Sequence, residues 1–105
     1  MIYYAYDLLL KYPKSERFAL VVDIKNIIYE GMRDVIKIQK ELDYGVKIKY
    51  LHELDVNLKL LKVFVRLSFK RKYISEKNYE VWSRHITHIS NLMGGLIKHA
   101  KNNKE

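Results

Sequence analysis

From Leu20 to Leu42 apolar residues return every three or four positions. Leu20, Ile24, Ile27, Gly31, Val35, Ile38 and Leu42 make one stripe, widened by Val21, Ile28 and Met32. Asp23, Glu30, Arg33, Lys37 and Lys40 fall opposite, so the period predicts an amphipathic helix with one buried side. Tyr79, Trp82, Ile86, Ile89, Met93, Leu96 and Ala100 form a second such seam near the end of the chain. Punctuation between the periodic stretches divides the chain into four helical segments. They run from about Ile2 to Lys11, Lys14 to Leu42, Val46 to Lys72 and Ser75 to Lys101. Pro13 disfavours helix at Tyr12 and opens the second helix. Gly45 supplies the turn after the second, and Ser75 caps the fourth, with Ile74 and Tyr79 at the spacing of a hydrophobic staple. No alternation of strand type and no internal repeat is present. Short connections force antiparallel neighbours. The expected fold is all-α, a single domain over residues 1–105 built as an up-and-down antiparallel four-helix bundle.

The third segment breaks the one-sided rule. Leu51, Leu54, Leu58, Leu61 and Val65 form one seam; Val56, Leu60, Val63 and Leu67, joined by Phe64, form another. At about 100° per residue the second points away from the first. A lone bundle buries only one side of each helix, so the second stripe predicts another contact, most economically with a second copy of the chain. Gly94 and Gly95 pose a related question, because each glycine inside a helix costs about 1 kcal/mol relative to alanine. Both fall about 130° from the core direction of their helix. Positions without side chains on an outer face admit a close neighbour, so the pair joins Val56, Leu60, Val63 and Leu67 as the expected oligomer interface.

Charge adds a partner class. Lys and Arg number 20 against 12 Asp and Glu, a formal net charge of +8 on 105 residues. Between its two apolar seams the third helix carries Lys59, Lys62, Arg66 and Lys70, a one-sided ridge of cations. "FKRKY" extends it with Arg71 and Lys72, and the outward side of the fourth helix adds Lys77, Arg84, His88 and Lys98. Such a ridge suits phosphates: it supplies charge without reading bases. Cations near a helix C-terminus also complement its dipole, which accounts for Lys70 to Lys72 but not for Lys59 and Lys62. The tyrosines Tyr3, Tyr4, Tyr6 and Tyr12 read as half-buried caps on a small bundle.

Chemistry for catalysis is missing. His85 and His88 stand three apart, but one points to the seam edge and the other outward, with no third ligand close in sequence. Asp23, Glu30, Asp34 and Glu41 are expected on the exposed side of the second helix, as solvated charges. No glycine loop for phosphate and no nucleophile elbow occurs. The sequence holds no cysteine, which removes disulfides and thiolate metal sites and fits a reducing, cytoplasmic setting. No apolar run approaches the roughly 20 residues a membrane span needs, and "MIYYAYDLLLKYPK" lacks the features of a signal peptide. No enzyme activity, metal, cofactor or membrane association is expected.

"YPKSERFAL", "LDVNLKLLKVFVRLSFKRKYIS" and "ISNLMGGLIK" resemble the Avd accessory proteins of diversity-generating retroelements. These belong to a wider four-helix-bundle family that includes proteins encoded in intervening sequences of bacterial 23S rRNA genes, a branch faintly echoed by "YEGMR". The resemblance covers about Tyr6 to Lys98. It implies a basic, non-enzymatic bundle that assembles as a pentamer, binds RNA or DNA through its outer surface and associates with a reverse transcriptase making cDNA from a template RNA. Lys14 and Arg17 fit the family's basic start to the second helix, and Arg66 the arginine after its leucine-rich stretch. Gly94 and Gly95 fit its glycine pair, while Leu96 replaces the usual tryptophan. The resulting expectation is nucleic-acid contact through Lys59, Lys62, Arg66, Lys70, Arg84, Lys98, Lys14 and Arg17. The alternatives are an intervening-sequence-type bundle, or an interaction scaffold whose ridge meets an acidic protein.

Overall fold

The computed structural model describes residues 1–104, apart from the side chains at positions 100 and 102–104. It is a four-helix bundle, with no strand among the described residues. The helices are α1 (Ile2–Leu9), α2 (Leu20–Lys40), α3 (Tyr44–Lys70) and α4 (Glu76–Lys104). None of them, over the described residues, is long and apolar enough to cross a membrane. α3 is the central element and packs along both α2 and α4. Its seam of Leu51, Leu54, Leu58, Leu61 and Val65 is buried throughout. Trp82, Ile86 and Met93 of α4 and Leu20, Ile24, Ile27 and Ile28 of α2 close on the same core.

Local chemistry sets the boundaries, and it departs from the periodic reading in two places. The second helix begins at Leu20, not Lys14. Pro13 is extended (φ −56°, ψ 148°), Lys14–Glu16 make one 3-10 turn, and Ala19 leaves helical space before α2 starts. The second departure concerns Gly45, which lies inside α3 and makes no turn. Asp43 is the cap there: its Oδ1 accepts from the N–H groups of Gly45 at 2.8 Å and Val46 at 3.2 Å. Glu41 has already left α2, and its Oε1 accepts from the N–H groups of Leu42 and Asp43. Leu42 is thereby carried out of the stripe and is 91% exposed. α3 ends at a left-handed residue, Lys72 (φ 63°), where the N–H of Tyr73 donates to the carbonyl of Ser68 and that of Lys72 to Phe69. Ser75 caps α4 as expected, its Oγ accepting from the N–H of Asn78 at 3.0 Å, and Ile74 is buried beside it.

α1 is short, and that decides which apolar stripes are covered. It lies between α2 and α4: Tyr4 stacks on His85, and Tyr6 meets Tyr29 edge-on. Ala5, Leu8 and Leu9 are buried there. Its eight residues span about 12 Å, far less than the helices on either side. Val35 near the end of α2 and Leu96 near the end of α4, both placed in buried seams by their period, are 42% and 52% exposed. The side chain of Ala100, the last member of that seam, lies outside what the structure describes.

Candidate nucleic-acid interface

Lys59, Lys62, Arg66 and Lys70 are all exposed on the outer side of α3. At 100° per residue they occupy an arc of about 80° and run for about 16 Å along the axis. The helix is continuous through them, so their spacing is fixed by backbone geometry. Lys59 is partly engaged: its Nζ lies 2.9 Å from Oδ2 of Asp55, one turn earlier. An exposed pair of this kind contributes about 0.3–0.5 kcal/mol and is weakened by salt. It is too weak to keep Lys59 from a phosphate. Arg71 and Lys72 continue the positive charge into the α3–α4 connection, and both are exposed.

The apolar stripe beside this ridge is open. Val56 and Val63 are 63% and 61% exposed, Leu60 and Leu67 are 42% and 38% exposed, and Phe64 is half-buried. Acidic residues border its other side: Asp23 and Glu30 of α2 line a shallow surface cleft with Leu60 and Phe64. The outer surface of α3 is thus cationic along one margin, apolar along the middle and acidic along the other.

Other candidate residues are scattered. Arg84 and Lys98 are exposed on α4, as are Gly94 and Gly95. A Cβ built on either glycine meets nothing within 4 Å, so no packing within the chain requires them. Lys14 and Arg17 sit on the segment between α1 and α2. Arg17 borders a cavity of about 340 Å³ with Tyr6, Tyr12 and Lys25, apart from the α3 ridge. Of the tyrosines, Tyr12 is buried, Tyr4 and Tyr6 are half-buried, and Tyr3 is exposed. Burial, with Tyr29 beside it, pushes the Tyr6 hydroxyl up to about 12. Burial also raises Tyr4 and Tyr12. These phenols remain neutral at physiological pH.

One acid was misplaced by the periodic reading. Asp34, expected in solvent with Asp23 and Glu30, is only 6% exposed. The Nδ2 of Asn57 on α3 donates to its Oδ2 at 3.1 Å. Burial raises its pKa, and the charge of Glu53 raises it further. The available signal was angular: Asp34 lies about 60° from Gly31 in the α2 stripe, on the stripe's edge facing α3. Among the described residues no three His, Cys, Asp or Glu gather as a metal site. His85 packs under Tyr4 while His88 faces outward.

No curated protein and no solved structure matches the chain. A family model described as bAvd-like matches residues 1–100, spanning all of α1, α2 and α3 and most of α4. The match takes in the cationic ridge, the open stripe and the glycine pair together. This chain belongs to the bAvd-like family.

Proposed function

We propose that the protein is a non-enzymatic accessory factor that binds RNA or DNA along α3 and holds it for a retroelement reverse transcriptase in the cytoplasm. The observation that carries this reading is the row of exposed cations Lys59, Lys62, Arg66 and Lys70 on one rigid helix. Such a row tracks a phosphate backbone with little base discrimination. Arg84 and Lys98 widen the contact, and Lys14 and Arg17 offer a second one. Family membership supports the accessory role. The helices run up and down, in keeping with the short connections at residues 41–43 and 71–75. Copies associate through Val56, Leu60, Val63 and Leu67, with Gly94 and Gly95 admitting a neighbour's backbone; the resemblance favours a pentamer.

Changing Lys62, Arg66 and Lys70 to glutamate tests the reading. RNA retention in a gel shift at moderate salt should be lost. For single neutral substitutions, the slope of log K against log salt should fall by about one per cation removed. Unchanged retention by the triple variant would remove nucleic acid from the proposal. Assembly is tested separately: Val56→Glu with Val63→Glu should yield monomers by light scattering. A wild-type chain already monomeric at micromolar concentration would reject the interface.

A further inference from the structure

Two connecting segments meet at one end of the bundle. Residues 10–19 lead from α1 to α2, and residues 71–75 lead from α3 to α4. Tyr73 ties them together: its ring packs on that of Tyr12 at 5.4 Å, and its hydroxyl donates to Oε1 of Glu16 at 3.2 Å. These contacts bring Lys11, Lys14 and Arg17 to the end where Lys70, Arg71, Lys72 and Lys77 stand, and all of them are exposed. Across residues 10–19 and 70–77 the only carboxylates are Glu76 and the Glu16 already engaged by Tyr73. The connection at the opposite end, residues 41–43, has Glu41 and Asp43 and no cation. Helix dipoles account for part of this asymmetry, since Lys70 to Lys72 stand at the C-terminus of α3 and Lys11 follows that of α1. They do not account for Arg17 just before α2 or Lys77 in the first turn of α4, where the dipole favours acids.

The basic end carries the ridge around a corner. Lys59 to Lys70 run along the flank of α3 towards its C-terminus, Arg71 and Lys72 take the charge onto the end, and Lys14 and Arg17 lie across it. The bundle measures 24 by 18 Å in cross-section, so a ligand touching both surfaces must turn within a distance of that order. Duplex DNA, with a persistence length of about 150 base pairs, does not make such a turn. Laid on the ridge it runs on past the end, whereas a single strand can follow the corner. Phe18 supplies a second criterion. It lies in the turn ahead of α2, next to Arg17, and is 90% exposed. An exposed ring beside a cation offers a stacking surface to an unpaired base, which a duplex does not present. We propose that the ridge and the bundle end form one bent track for single-stranded nucleic acid, with Phe18 stacking on a base where the strand crosses the end. This inference rests on the nucleic-acid reading of the ridge; it narrows the substrate class and joins the contact at Lys14 and Arg17 to that on α3.

The test is fluorescence anisotropy with the full chain, using a labelled single-stranded DNA of about 16 nucleotides and the duplex of the same sequence, each over a salt series. Lys14→Ala with Arg17→Ala should weaken single-strand binding by about tenfold and reduce the steepness of its log–log salt dependence by about 1.4. The duplex should lose less than about twofold. Phe18→Ala should weaken the single strand by about fivefold at unchanged salt dependence, and Phe18→Tyr should retain wild-type binding. All three positions are exposed, and circular dichroism should show unchanged helicity. Equal losses on both DNAs, or a single strand indifferent to the Lys14 and Arg17 pair, overturns the bent track and leaves the ridge reading standing. Single-strand binding kept when Lys62, Arg66 and Lys70 become glutamate removes the ridge reading, and this inference with it.

Discussion

α3 carries two leucine- and valine-rich faces, and they have opposite fates. Leu51, Leu54, Leu58, Leu61 and Val65 are at most 7% exposed, whereas Val56, Leu60, Val63 and Leu67 range from 38% to 63%. Both rows alternate gaps of three and four, and both use the same residue types. What separates them is their neighbours, because α2 and α4 both close on the inner row. Periodicity identifies a face that favours removal from water; it does not say which surface removes it.

The largest test of the contrast is a matched pair of truncations. Leu61→Ala deletes a side chain that is 2% exposed and should cost about 2–5 kcal/mol in urea unfolding. Val63→Ala should cost less than about 0.5 kcal/mol in dilute protein. Repeating both at high protein concentration sharpens the comparison. If Val63→Ala then becomes costly while Leu61→Ala changes little, the outer row is buried by association.

The helices, their order and most of the core were legible because apolar residues recur at helical spacing, on one side of α2 and α4 and on two sides of α3. The inner row of α3, Trp82, Ile86 and Ser75 all stand where spacing and capping chemistry put them. The outward position of Gly94 and Gly95 was legible in the same way. Less visible was where each period stops being useful. Val35 and Leu96 keep the rhythm but lie exposed, because cover by α1 is a tertiary fact that neither helix encodes. The α2–α3 connection was misread for another reason. Gly45 looked like the turn, but Asp43 satisfies the first amides of α3 and makes a glycine turn unnecessary. Asp34 hid because polar residues at the edge of a stripe are assigned to solvent unless a partner such as Asn57 is known. Within the candidate site, exposure of the cations and of the outer row followed from helical phase alone.

A smaller effect comes from the end of α3. Lys72 adopts a left-handed conformation (φ 63°), which disfavours a residue bearing Cβ by about 1–2 kcal/mol. Glycine pays no such penalty but loses more freedom on folding. Lys72→Gly should therefore stabilise the chain by about 0.5–1 kcal/mol, read as a higher urea midpoint. It also removes a cation beyond Lys70, so a parallel gel shift reports whether the ridge extends into the connection. Gly94→Ala and Gly95→Ala follow, each adding up to about 1 kcal/mol of helix stability, since the new methyl meets nothing within 4 Å. The outer row and the glycine pair can be compared directly here. Loss of assembly in a better-folded Gly94→Ala variant assigns both to one interface, and unchanged assembly separates them.

Asp34 gives the smallest effect, and one that pH can isolate. Its folded pKa lies above the ordinary 3.8, first because of burial and then because of Glu53. The native state therefore binds this proton more tightly than the unfolded chain does. The resulting stabilisation is fully present below pH 3.8 and disappears as pH rises through the folded value. At neutral pH the buried carboxylate is a burden that its bond to Asn57 only partly offsets. Asp34→Asn keeps an oxygen to accept from Asn57 and removes the charge. It should raise stability at pH 7 and lose that advantage towards pH 3, by urea unfolding across the range. A pH-independent difference would place the effect in packing between α2 and α3. In that case Asp34 would belong with the inner row of α3, as a group defined by what closes over it.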